Sequence, residues 1–199
     1  MRKSSLIKSA ATAGVVGPIL FAVVVAGLTV AQADFMRTLG WNPLGPVIDW
    51  PSGLALGPYG WLMTVTFFVC GVLMAFFACG LKLALHEKLA TSLLMIAGLA
   101  MMGLIFTTDP TLTTVTKTWH GLLHDSFFAL LGLTMMPGML LLGWVFRRNE
   151  QWKDLSNYTW ITLALVIPSF WLKGLGFYLF LAAILTWSVV VALRLQRIG

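Results

Sequence analysis

The chain has 199 residues, of which 13 are Lys or Arg, 7 are Asp or Glu and 3 are His. Only 10% are charged while 59% are hydrophobic, and the mean hydropathy is +0.90. A water-facing surface needs a charged fraction of roughly a quarter, and a chain of this size has too little interior to hide so much apolar side chain. The composition excludes an ordinary soluble domain, a disordered chain and a disulfide-knit secreted module. It predicts an all-α integral membrane protein with one domain over residues 1–199.

Six apolar runs follow in chain order, at about 13–31, 61–85, 90–107, 119–146, 158–172 and 175–193. About 20 helical residues cross roughly 30 Å of hydrocarbon, so these runs predict a polytopic bundle of six transmembrane helices. Residues 1–8 are basic, and Ala31-Gln32-Ala33 resembles a signal-peptidase site. The apolar stretch between them is longer than the 7–15 residues of an ordinary signal core, so it is assigned as the first transmembrane helix. Cys70 and Cys79 share the second run; nine helical residues separate them by roughly 13 Å, too far for a disulfide. With Gly71 and Ala75 they form a row of small residues that lets helices approach closely. Pro137 in the fourth run predicts a kink, and Pro168 falls in the short fifth run.

Lys and Arg set the expected orientation. With the N-terminus inside, Arg2, Lys3, Lys8, Lys82, Lys88, Arg147, Arg148, Lys153, Arg194 and Arg197 fall on the inner side. Only Arg37, Lys117 and Lys173 fall outside. Both termini are therefore expected in the cytoplasm, with the protein in the cell (inner) membrane. Trp41, Trp50, Trp61, Trp119 and Trp171 would anchor the outer interface; Trp144, Trp152 and Trp160 would anchor the inner one. The formal charge of +6 does not imply nucleic acid, because the cations lie scattered at the ends of apolar runs. The expected partner is the lipid bilayer, with an amphipathic substrate or a membrane-protein partner beside it.

The unusual chemistry lies on the expected outer side. A long loop over 34–60, rich in Gly, Pro and Trp, carries turn signals in series, and its apolar residues suggest that it lies on the membrane surface. A Thr-rich segment joins the third and fourth runs and leads into Trp119-His120-Gly121-Leu122-Leu123-His124-Asp125. Histidines four apart share one helix face, the spacing that sets two nitrogens on one zinc. Asp109, ending the preceding run, would complete a His120/His124/Asp109 metal site with a position open for water. Asp125 points about 100° from His124 and suits an acid–base role. Gly121 stands where the glutamate of a His-Glu-x-x-His motif would be. Against this stands a plain structural reading, in which ionisable groups near the interface pair with one another and hold two helices together. Ser52 likewise reads either as a hydroxyl over the outer site or as a turn residue after Pro51. His86, beside Glu87 and Lys88, is on the opposite side and cannot join the pair.

The stretch Pro51-Ser52-Gly53-Leu54-Ala55-Leu56-Gly57-Pro58-Tyr59-Gly60-Trp61-Leu62, the stretch Phe106-Thr107-Thr108-Asp109-Pro110, and His120-Gly121-Leu122-Leu123-His124 together resemble a bacterial and archaeal six-helix membrane family, domain of unknown function 998. The resemblance covers nearly the whole chain and implies roles for Ser52, Asp109, His120 and His124; Gly53 departs from the acidic residue that often follows the Ser. A more distant resemblance is to the membrane hydrolase superfamily of alkaline ceramidases and adiponectin and progestin receptors, which gathers Ser, Asp and three His around zinc. Only two His lie on the proper side here. With the His120/His124/Asp109 site it leads to the expectation of zinc-dependent hydrolysis of a lipid-like amide or ester, in which the catalytic residues Asp125 or Ser52 would orient water or polarise the carbonyl. The alternatives are a non-catalytic membrane module that supports a partner or binds lipid and, last, a small-solute or ion transporter.

Overall fold

A computed structural model describes residues 2–41, 51–110, 116–171 and 175–198. In chain order it forms α1 (Arg2–Ala31), α2 (Ala33–Thr38), a 3-10 turn (Pro51–Leu56), α3 (Gly60–Leu85), α4 (Leu89–Gly103), α5 (Trp119–Arg147), α6 (Asp154–Trp171) and α7 (Leu175–Ile198). No strand occurs among the described residues. Asp49, Trp50, much of the Thr-rich segment and Lys173-Gly174 lie outside them. Four helices are long and apolar enough to cross a membrane, over Lys3–Ala31, Gly60–Leu85, Trp119–Arg147 and Gly176–Ile198. Helix α4 is apolar but has 15 residues, about 22 Å of rise.

Each long helix packs on its neighbour in the chain, and α7 returns to α1, closing a ring. In lipid the apolar effect does not drive helices together, so close backbone approach and side-chain fit must. The α3–α4 contact shows how. A Cβ on Gly98 would lie 2.6 Å from the Ala75 amide nitrogen, and one on Gly71 would lie 2.6 Å from the Gly98 carbonyl oxygen. The small-residue row does what its spacing predicts, and both cysteines are free thiols. Cys79 Sγ donates to Met95 Sδ at 3.6 Å and Cys70 Sγ to the Gly17 carbonyl at 3.3 Å.

At one end Lys3 Nζ donates to His86 Nε2 (3.2 Å), joining the start of α1 to the C-cap of α3. There the Arg194 guanidinium also grips both oxygens of Asp154, tying α7 to α6. That grip holds the Asp154 carboxyl below its ordinary value. Most cations of the chain gather at this end. At the other end Thr29 and Tyr178 bond across α1 and α7 at 3.2 Å.

Not every aromatic is an interface anchor. Trp61 and Trp119 are exposed, as anchors require. Trp152, however, is 1% exposed and stacks on Phe146 with centroids 5.0 Å apart, and Trp41 is 3% exposed. The described parts of the first connecting segment pack on the bundle. Its Met36, Trp41 and Leu54 are buried against Phe21, Val25, Leu28, Met63 and Phe67, because a helix bundle offers these side chains more contacts than a lipid surface would.

Gly98→Val forces a side chain into backbone atoms that cannot yield. It is expected to lower the thermal midpoint in detergent, at a cost of about 1–3 kcal/mol. Gly27→Val, at a site where a Cβ meets nothing within 4 Å, is the control and is expected to leave the midpoint nearly unchanged.

Candidate polar site at the α4–α5 junction

The site begins where α4 ends. A Cβ on Gly103 would lie 2.3 Å from the Phe127 ring of α5, so the two helices meet closely there. Beyond it the backbone tightens: Leu104, Ile105 and Phe106 donate their N–H groups to Met101, Met102 and Gly103 at 3.1, 3.3 and 3.4 Å. The chain then leaves the helix, and the Phe106 and Thr107 carbonyls become free to accept from side chains.

Both histidines take them. His124 Nδ1 lies 2.7 Å from the Phe106 carbonyl, and His120 Nδ1 lies 2.9 Å from the Thr107 carbonyl. A carbonyl only accepts, so each Nδ1 carries the hydrogen of its bond. His124 is buried, with its ring edge-on to Phe67 at 6.2 Å. His120 is half-buried beside Trp119.

Asp109 completes the junction through Thr118, the N-cap of α5. Thr118 donates its hydroxyl to Asp109 Oδ1 (2.7 Å) and its N–H to Oδ2 (2.9 Å). Its oxygen accepts from the Gly121 N–H at 3.2 Å. The Thr118 hydroxyl is the first cause that holds the Asp109 carboxyl below its ordinary value. The Thr118 N–H and the charges of His120 and Lys117 add to it against partial desolvation. A Cβ on Gly121 would lie 2.0 Å from Asp109 Oδ2. A glutamate at 121 would have to displace the carboxylate of Asp109, which occupies that space from across the junction.

The structure thus brings Asp109, His120 and His124 to one junction, and each spends a polar atom on holding it together. Asp125 is turned to Lys117 in an exposed ion pair. Among the described residues, no three His, Cys, Asp or Glu side chains gather in a group that could hold a metal ion.

Ser52 is placed differently. It sits half-buried on the 3-10 turn and lines an elongated apolar cavity of about 130 Å³ inside the ring. Helices α1, α3, α4, α5 and α7 supply the walls, and Phe67 serves both the cavity and the ring contact with His124. A residue that composition did not single out, Gln32, positions the turn. Buried at the end of α1, it donates Nε2 to the Leu54 carbonyl (3.0 Å) and accepts from the Tyr59 N–H (2.9 Å). Gly57 makes room for it, since a Cβ there would lie 2.0 Å from Gln32 Oε1. A lone amide at the end of an apolar run was the one available signal for Gln32; the Thr just before the fourth run was the signal for Thr118.

The family described as Protein of unknown function (DUF998) matches residues 15–196 of the chain. Comparison with curated proteins and with solved structures returned no match.

Because the folded-state Asp109 carboxyl is lowered, its contribution to stability is complete above the ordinary carboxylate value of 3.8 and is lost as pH falls through the lower folded value. The difference in thermal midpoint between wild type and Asp109→Asn is therefore expected to stay constant from neutral pH down to that ordinary value, and to shrink only in stronger acid. Thermal scans of both proteins over that pH range check it.

Proposed function

The chain belongs to the DUF998 family of unknown function, and from its site we propose that it is a multi-pass membrane protein that binds a lipid-like amphipathic molecule. In this reading all six long helices cross the cell membrane. The cation-rich end lies in the cytoplasm, following the positive-inside rule, and the α4–α5 junction faces the extracytoplasmic side. The observation that carries the reading is the apolar cavity with Ser52 in its wall and His124 behind its Phe67. Such a cavity at membrane depth favours hydrocarbon over water, while the Ser52 hydroxyl in its wall, at the same end of the bundle as the α4–α5 junction, offers a headgroup a hydrogen bond. The Asp109–Thr118–His120 contacts are the rigid frame of that end. Transport of a charged solute has little support: among the described residues no Asp, Glu, Lys or Arg is buried. Organic extraction of the protein after extensive detergent exchange is expected to release about one lipid per chain. A protein that is folded and lipid-free after the first detergent exchange would sink this reading.

A second reading has one specific observation behind it. Imidazoles that ligate metals characteristically donate the other ring N–H to a carbonyl, as His120 and His124 do. Zinc on their Nε2 atoms would activate water for hydrolysis of a lipid amide or ester. Asp109 would have to exchange Thr118 for the metal, and Asp125 or Ser52 would orient the water or the carbonyl. Protein purified without chelator is then expected to carry zinc that His120→Ala and His124→Ala both lose. Wild type without stoichiometric zinc removes the hydrolase and leaves the binding protein.

A further inference from the structure

We infer that the cavity holds a single-chain, uncharged lipid with its polar end at Ser52, and that Gly132 is the residue that keeps room for the chain. This rests on the lipid-binding reading above and names the ligand class of that site.

The shape comes first. Along α3 the lining runs from Met63 to Phe77, and along α7 from Phe177 to Ser188, which is roughly 20 Å and 16 Å of helix rise. Lining residues spread along two helices over that length suit one extended chain. Two parallel chains or a rigid polycyclic plate would need a broader slot. Five of the lining side chains are methionines, whose unbranched thioethers follow a flexible chain better than branched residues do.

Polarity sets the other limits. No charged side chain lines the cavity. Cys70 turns its thiol to the Gly17 carbonyl, which leaves the hydroxyls of Ser52 and Ser188 as the hydrogen-bonding groups in the wall. A hydroxyl both donates and accepts, so it suits an alcohol, ester or amide head and offers nothing to balance a charged one.

Gly132 supplies the third observation. Gly14, Gly71, Gly98 and Gly121 each face a neighbour that a Cβ would strike, whereas a Cβ on Gly132 would meet nothing within 4 Å. Glycine weakens a helix interior, and here no close helix contact accounts for it. Its missing side chain opens the cavity wall. Gly27 is equally open but exposed on the outside of α1, so the pair allows one substitution to be compared inside and outside the cavity.

The test uses the full chain in lipid nanodiscs with a photoreactive monoacylglycerol as probe. Wild type is expected to be labelled on α3, α5 or α7, with labelling displaced by unlabelled monoacylglycerol but not by equal amounts of diacyl phosphatidylcholine or cholesterol. Gly132→Leu is expected to cut labelling by about tenfold or more, since it occupies space that the methylenes of the chain would fill. Gly27→Leu is expected to leave labelling unchanged. Displacement by the diacyl lipid or the sterol alone, or equal labelling of Gly132→Leu and wild type, overturns the single-chain inference while lipid binding stands. Absence of specific labelling by every lipid probe overturns both. Should Gly132→Leu lose its folded midpoint, Gly132→Ala together with the wild-type competition series gives the same decision.

Discussion

The Asp109 carboxylate lies where a side chain at position 121 would have to be, and much of the polar end depends on that one substitution of space. Thr118 can present its hydroxyl and N–H to Asp109 because Gly121 has no Cβ. The same hydroxyl oxygen caps the next helix. Capping fixes where α5 begins, and the start of α5 decides that His120 and His124 face the carbonyls left over when α4 ends. Three consecutive requirements of the backbone are met by one carboxylate, one threonine and two imidazoles. Chemistry that looks catalytic in a list of residues is first of all the satisfaction of orphan groups at two helix ends.

The cavity has a related origin. Close packing at Gly71 and Gly98 draws α3 and α4 together on one side of the ring, while α7 closes on α1. Helix α5 brings Gly132 rather than a large side chain to the middle. Small residues thus have two opposite effects in one bundle. Where two backbones meet they remove space, and where one backbone faces the centre they leave it. The turn that Gln32 holds brings Pro51 and Ser52 to the cavity wall, and Phe67 links that wall to His124.

Much of the helix layout was legible from the sequence because hydrocarbon tolerates only helices whose backbone is satisfied within the segment. The apolar runs at 61–85 and 119–146 match α3 and α5 to within one residue at each end. The run at 90–107 overshot α4 by four residues, because Leu104, Ile105 and Phe106 are as apolar as a helix core while their backbone has already tightened. Trp41 and Trp152 are packed inside the bundle, which the sequence could not show: an aromatic suits an interface and a core equally well, and only contacts such as the Phe146 stack reveal the packing. The candidate residues were legible as residues, but their partners were not. The donors and acceptors at this junction are mostly backbone atoms and a threonine, which carry no distinctive spacing.

By itself, the sequence determined the solvent and the helical class, since 10% charge cannot cover a water-facing surface and long apolar runs can satisfy their backbone alone. It also determined that Asp109 and the two histidines share a helix junction, because a helical spacing of four and a short connection leave little freedom. Only the tertiary structure decided what those residues do to one another. Whether an imidazole faces a metal, a carboxylate or a carbonyl depends on ångström-scale placement of a neighbouring helix end. That placement follows from contacts such as Gly103 with Phe127 and Gly121 with Asp109, made where a glycine leaves room for its partner's side chain.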